Sequence, residues 1–312
     1  MSQELISLIL PTRGRPALVE RFFGSLGTMT SRLDQVEVIL YVDEEDISSH
    51  HLDSRDFHVT RIIGPALSMG GYNSACFERA RGEIIILVND DIVIRSQGWD
   101  DRVREMNAEF EDQIYLGYAN DLFKKSKFCT FPIMSRRTCE LLIEPYPAAY
   151  RRFFIDVHLF DVFKRLQRAG VDRIRYYDDL VFEHLHYRTG KARYDETYSY
   201  ARSRRFVDDL TYIDLIAVRS TAANRLICEI RNKSFAAEGN TFGKNKKPSN
   251  VASAVWFFSR KFLFDGELPY RWRAFLWYWF MGRYLAANGY LRPFVQHYCQ
   301  SDNTGAHDQE TT

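Results

Sequence analysis

The stretch GGYNSACFERARGEIIILVNDDIVI, residues 70–94, decides the fold. Tyr72 to Ala80 carries helical spacing, and Arg81-Gly82 breaks it. Glu83 to Val88 then reads as a strand, apolar from Ile84 onward, which suits a strand covered on both faces. A helix running into a fully buried strand is the unit of a parallel α/β sheet. In such sheets, ligands bind beyond the carboxyl ends of the strands. Here that end carries Asn89, Asp90 and Asp91. In isolation an Asp pair is better explained by a turn. Two adjacent carboxylates can also hold a hard divalent cation through oxygen, with substrate phosphates completing the shell.

Working outward, the same alternation continues. Ile6 to Leu10 reads as a strand ended by Pro11, and Pro16 to Leu26 as a helix with proline in its first turn. Val36 to Val42 is a second strand, Val59 to Ile63 a short third, and Trp99 to Phe110 a helix. Two further strand ends are polar, Thr12-Arg13-Gly14-Arg15 and Asp43-Glu44-Glu45-Asp46. Beyond residue 120 the pattern is mixed. Phe153 to Ala169 reads as a helix with Gly170 as its C-cap, and a strand is expected near Arg173–Tyr177.

Composition narrows the function. Of 312 residues, 46% are hydrophobic, enough for a sizeable core. Lys and Arg number 42 against 41 Asp and Glu, so nothing marks a nucleic-acid partner. Five scattered cysteines without CxxC spacing indicate neither a zinc knuckle nor a disulfide framework, and a reducing compartment fits. The opening residues read as a first strand, not a signal peptide, and no apolar run reaches the roughly 20 residues of a membrane span. A cytoplasmic location is expected.

Four ordered segments carry a family resemblance: ISLILPTRGRP (6–16), VEVILYVDEED (36–46), the stretch at 70–94, and FFIDVHLFDVFKRLQRAG (153–170). Together they resemble the inverting GT-A glycosyltransferases of the large bacterial family that makes surface polysaccharides. The resemblance implies a GT-A, Rossmann-like, mostly parallel sheet flanked by helices, with a helical C-terminal appendage. It spans residues 1–195 as the catalytic domain, with a nucleotide-binding half at 1–120 and an acceptor half at 121–195. A helical extension (196–240), a Gly/Pro-containing linker (241–250), an aromatic and basic appendage (251–300) and a disordered tail (301–312) follow.

Residue by residue, the resemblance implies that Thr12, Arg13 and Arg15 flank the nucleotide, that Asp43 accepts a hydrogen bond from its base, and that Asn73 approaches the donor. Arg suits stacking or bidentate phosphate contact. Asp90 would lie near the ribose and Asp91 would ligate Mg²⁺ or Mn²⁺. The family's DXD pattern is broken at its first position by Asn89, a poorer ligand than carboxylate. Glu44, Glu45 and Asp46 read as a solvated loop. Asp156, at a helix start, would be the base that takes the acceptor hydroxyl's proton. Asp161 points elsewhere on that helix and reads as a surface or ion-pair residue. His184, ahead of His186, would complete the metal site, with Arg188 and Lys191 on a loop over the diphosphate. The donor is a nucleotide-sugar, UDP-linked by the family's commonest usage, and the acceptor a glycan or lipid-linked hydroxyl.

The appendage holds four of the five tryptophans. Between 251 and 298 six Arg or Lys face only Asp265 and Glu267. Such a mixture suits a membrane–water interface, and it equally suits a helix packed on protein. Two other functional classes fit parts of the sequence. A sugar-phosphate nucleotidyltransferase would carry a longer glycine-rich loop than PTRGRP. A glycan-binding module that kept the fold without turnover would tolerate Asn89.

Overall fold

A computed structural model of the chain describes residues 4–185, 206–235 and 243–291. It forms two compact units that divide between Lys244 and Asn245.

The first unit is built on an eight-stranded sheet, ordered β3-β2-β1-β4-β7-β6-β8-β5. Its first half is parallel: β1 (Ile6–Thr12) lies between β2 (Val36–Asp43) and β4 (Ile84–Leu87), and β3 (His58–Gly64) forms the edge. β1, β2 and β4 are apolar almost throughout because both sheet faces are covered. α1 (Pro16–Met29) contributes Val19, Phe22, Phe23 and Leu26 to that cover, and α2 (Met69–Arg79) contributes Cys76. At the amino ends of the strands, buried Glu37 accepts hydrogen bonds from Ser7 Oγ and from the Arg81 backbone and guanidinium. That end is thereby closed, and the open polar positions lie at the carboxyl ends.

The second half is mixed. β7 (Pro132–Ser135) is antiparallel to both β4 and β6 (Leu116–Asn120). β8 (Ile174–His184) runs parallel to β6, and β5 (Ile92–Ile94) pairs antiparallel with β8. Six of the eight strands therefore point one way, which is the mostly parallel, helix-flanked GT-A-like architecture expected.

Several boundaries differ from expectation. α2 begins at Met69, not Tyr72, because Ser68 caps it by accepting from the Gly71 N–H at 3.0 Å. The strand expected near residues 173–177 and the following segment form the single long β8, kinked where its register on β6 shifts between Ala119 and Asn120. α3 (Trp99–Ala108), α4 (Arg136–Leu142) and α5 (Ile155–Arg168) complete this half. α6 (Asp209–Asp214) and α7 (Ile216–Ile230) belong to the same compact unit. α7 packs on α5 through an ion pair between Arg219 Nε and Asp161 Oδ2, 2.7 Å apart and buried on both sides. Asp161 is thus an ion-pair residue, and a buried one.

In the second unit, α8 (Val251–Phe258) starts in a capping box between Asn250 and Ser253 and continues through one π-helical turn. It turns back into α9 (Tyr270–Ala287), with Phe262 and Phe280 in contact at 4.9 Å between ring centres. Trp256, Phe264, Tyr270 and Tyr278 remain exposed. Among the described residues, no helix is long and apolar enough to cross a membrane.

Candidate active site

The sheet changes direction of growth at β1. The chain adds β2 and β3 on one side, then crosses to place β4 on the other. A crevice opens at such a switch point, between the carboxyl ends of β1 and β4. Side chains from those two ends meet across it. Thr12 Oγ1 donates to Asp90 Oδ2 at 3.0 Å, and Arg15 reaches Asp90 Oδ1 at 3.1 Å.

The loop that makes this possible turns at Gly14, whose φ of +66° favours glycine. The Gly14 N–H donates to Asp46 Oδ2 at 2.6 Å. Asp46 is therefore not part of a solvated loop, as its neighbours suggested. It is buried and fixes the turn between Thr12 and Arg15. Arg15 folds inward, whereas Arg13 is largely exposed and pairs with Asp43 at 3.1 Å. Asp43 ends β2 and also accepts from the Tyr72 hydroxyl on α2. The Tyr41 and Tyr72 rings lie 4.9 Å apart beside it. Asn73, next on α2, is buried, and its Oδ1 has no hydrogen-bond partner among the described residues.

After β4, Asn89 is exposed while Asp90 and Asp91 are buried. Burial pushes the Asp90 carboxyl up to about 6, with Arg15 opposing and Asp91 adding to the shift. Asp91 faces the next strand pair. The β5–β8 register sets Ile92 opposite His184, which brings His184 Nε2 to 3.3 Å from Asp91 Oδ2. The Leu185 N–H donates to the Asp91 carbonyl at 2.8 Å and locks that register. The Phe131 ring holds the imidazole edge-on at 5.4 Å.

Asp156 arrives from the other direction. Phe154, at φ +78°, turns the chain into α5, leaving Asp156 in its first turn. Its Oδ1 accepts from the Val157 N–H at 2.8 Å. Burial pushes its carboxyl up to about 6, against the stabilising backbone N–H groups and the neighbouring His184. His184 thus pairs with Asp91, and its charge also acts on the Asp156 carboxyl. The same carboxyl, with Asp121, adds to the burial that raises the Cys129 thiol.

Three groups result: Thr12 with Arg15 and Asp90; Arg13 with Asp43; and Asp91 with His184, whose charge also reaches Asp156. Asn89 stands outside them, and His186, Arg188 and Lys191 lie outside the described residues. Asp46, Tyr72 and Asp121 were not singled out in the sequence. Asp208 is a fourth addition: its carboxylate accepts the backbone N–H groups of Arg151, Arg152 and Phe153 at 3.0, 2.8 and 2.8 Å, just before α5.

Two of these side chains fit a divalent cation. Ligands cis to one another on an octahedral ion with bonds of about 2.1 Å lie about 3 Å apart, and Asp91 Oδ2 and His184 Nε2 are 3.3 Å apart. Among the described residues, no three His, Cys, Asp or Glu side chains converge on one point.

No family model matches the sequence, and no curated protein matches it. Solved structures of similar fold exist. The mannosyltransferase PcManGT of Pyrobaculum calidifontis, in complex with GDP-Man and Mn²⁺, is 13% identical, with 92% of this chain and 88% of that chain covered at a TM-score of 0.46. A fragment of S. aureus TarS in complex with UDP-GlcNAc is 13% identical over 93% and 92%, at 0.46. Glucosyl-3-phosphoglycerate synthase of Mycobacterium tuberculosis, with Mn²⁺, UDP-glucose and phosphoglyceric acid, is 14% identical over 72% and 79%, at 0.42.

Proposed function

We propose that this protein is a glycosyltransferase that moves a sugar from a nucleotide-sugar donor to a hydroxyl of a growing glycan, with inversion. The observation that carries it is the Asp91–His184 pair, 3.3 Å apart at the carboxyl edge of the sheet, with Asp156 in the first turn of α5 where the His184 charge still acts on it. Asp156 combines a place in the first turn of α5 with a carboxyl raised to about 6. A base of that strength is ionised at neutral pH and still takes a proton effectively. Asp156 accepts the acceptor hydroxyl's proton as that oxygen bonds to the anomeric carbon. The bond from that carbon to the diphosphate breaks, and the nucleoside diphosphate departs from the opposite face.

Asp43, Tyr72 and Asn73 would receive the base, and Thr12, Arg15 and Asp90 the ribose and phosphates. Asp91 and His184 would hold Mg²⁺ or Mn²⁺, which offsets the leaving group's charge. UDP is the nucleotide taken first in a test. Residues 251–291 support attachment to a membrane surface that presents a lipid-linked acceptor. Their exposed Trp256, Phe264, Tyr270 and Tyr278 would enter the headgroup layer, and their excess of Arg and Lys would face anionic lipid.

The test is release of nucleoside diphosphate from a panel of nucleotide-sugars, compared with Asp156→Asn. Release from one donor that falls about 10²–10⁴-fold in the variant, with donor binding kept, supports the assignment. A variant as active as the wild type removes Asp156 from the chemistry.

A further inference from the structure

The loop between β6 and β7 is strongly basic and is not used by the mechanism above. Residues 121–131 read DLFKKSKFCTF, with Lys124, Lys125 and Lys127 against one acid, Asp121. That acid faces inward. Its Oδ1 accepts the N–H groups of Phe123, Lys124 and Lys125 at 2.9, 2.7 and 2.7 Å, and its Oδ2 accepts from Thr130 Oγ1 at 2.7 Å. The Tyr118 hydroxyl holds the far side through the Ser126 carbonyl at 2.9 Å. The loop is therefore anchored, while its three lysines are exposed. Among the described residues, none of the three forms an ion pair.

Its position is specific. The His184 N–H donates to the Asp121 carbonyl at 3.1 Å, and the Phe123 ring lies 6.3 Å from the imidazole. Lys124 Nζ sits over Phe123 at 4.5 Å. At the other end, Phe128 packs on Phe160 at 5.8 Å. Phe160 is one helical turn past Asp156, on the same side of α5. Lys164, a turn further, lies over the Phe160 ring at 4.8 Å. The lysines thus border the side of the site where Asp156 meets the acceptor, whereas Thr12, Arg15 and Asp90 define the donor crevice.

We propose that residues 122–128 form an acceptor subsite for anions: the hydroxyl presented to Asp156 belongs to a molecule that carries phosphate, sulfate or carboxylate groups close by. This rests on the transferase reading. Asp90, Asp91 and Asp156 give the site a negative field that repels such an acceptor unless cations offset it. Three ammonium groups on flexible stems, without an ion pair among the described residues, suit repeated anions without fixed geometry.

The test uses the full chain saturated with Mn²⁺ and UDP, titrated with dextran sulfate as a polyanionic glycan probe and with neutral dextran. The loop variant combines Lys124→Gln, Lys125→Gln and Lys127→Gln. A charge-matched control combines Lys244→Gln, Lys246→Gln and Lys247→Gln, also exposed lysines. The expected result is binding of the sulfated polymer only, weakened about tenfold in the loop variant and much less in the control, with the UDP-induced thermal shift unchanged. Equal weakening in both variants overturns the subsite. So does a loop variant that loses UDP binding, since the lysines would then serve the donor. A wild type that binds no nucleoside diphosphate at all sinks the transferase reading itself, whatever the polymer does.

Discussion

A carboxyl group raised to about 6 has consequences that can be measured without knowing the substrate. For Asp156, turnover is expected to rise as pH increases through about 6, because only the ionised form accepts a proton. A rate profile with no acidic limb in that region would contradict the role. Stability runs the opposite way. The folded chain holds this proton more tightly than the unfolded one, whose carboxyl has the ordinary value of 3.8. Stability therefore declines as pH rises between about 4 and 6, and stays flat above. Asp156→Asn is expected to raise stability at neutral pH by about 1–2 kcal/mol and to bring no gain below about pH 4. Urea unfolding at the two pH values checks this. Thr12, Arg15, Asp90 and Asp91 were legible as polar residues at the ends of apolar strands, and Asp156 came from the family resemblance and its place at a helix start. Asp46 was not. Nothing in Asp43-Glu44-Glu45-Asp46 says which acid turns inward, since that depends on where the Gly14 N–H points. Tyr72 looked like an ordinary helix residue until the fold set it against Asp43.

At the level of elements, what matters is how α5 is aimed. The segment leading into it leans on α2: the Met69 N–H donates to the Arg151 carbonyl at 3.0 Å, and Gly70 N–H to that of Tyr150 at 3.1 Å. A methyl group on Gly70 would stand 2.0 Å from the Pro147 carbonyl oxygen. Gly70→Ala must therefore displace residues 147–151 and is expected to lower both stability and turnover. Asp208 holds the same segment from the far side. Asp208→Ala leaves three backbone N–H groups without their acceptor and is expected to cost about 2–3 kcal/mol. Turnover should fall further than donor binding, because the crevice proposed for the donor lies between β1 and β4. Equal loss of both, read from donor titrations and initial rates, would show that Asp208 only supports folding. This device was hidden in the sequence because Asp208 is remote from the helix it aims. The parallel strands were readable from alternation and apolar runs. Four-residue β7 and three-residue β5 were too short for any periodicity to show.

For the molecule as a whole, near-neutral charge conceals local imbalance. Buried acids gather at the carboxyl edge of the sheet, and lysines line the β6–β7 loop. The second unit adds exposed aromatic and basic residues. If that surface meets lipid, the protein should sediment with anionic vesicles and not with neutral ones, with weaker binding at high salt. Trp256→Ala with Tyr278→Ala should reduce it. Unchanged sedimentation in that double variant would turn the surface toward a protein partner. The proposed donor site is tested most directly by thermal stability with UDP-, GDP-, dTDP- and CMP-sugars in Mn²⁺, Mg²⁺ or EDTA. A ligand that binds only the folded state raises its stability by mass action. The expected result is a shift with one nucleotide class that needs the divalent ion and disappears in Asp91→Ala. A folded protein that shifts with none of them would contradict it and leave a glycan-binding module on the same fold.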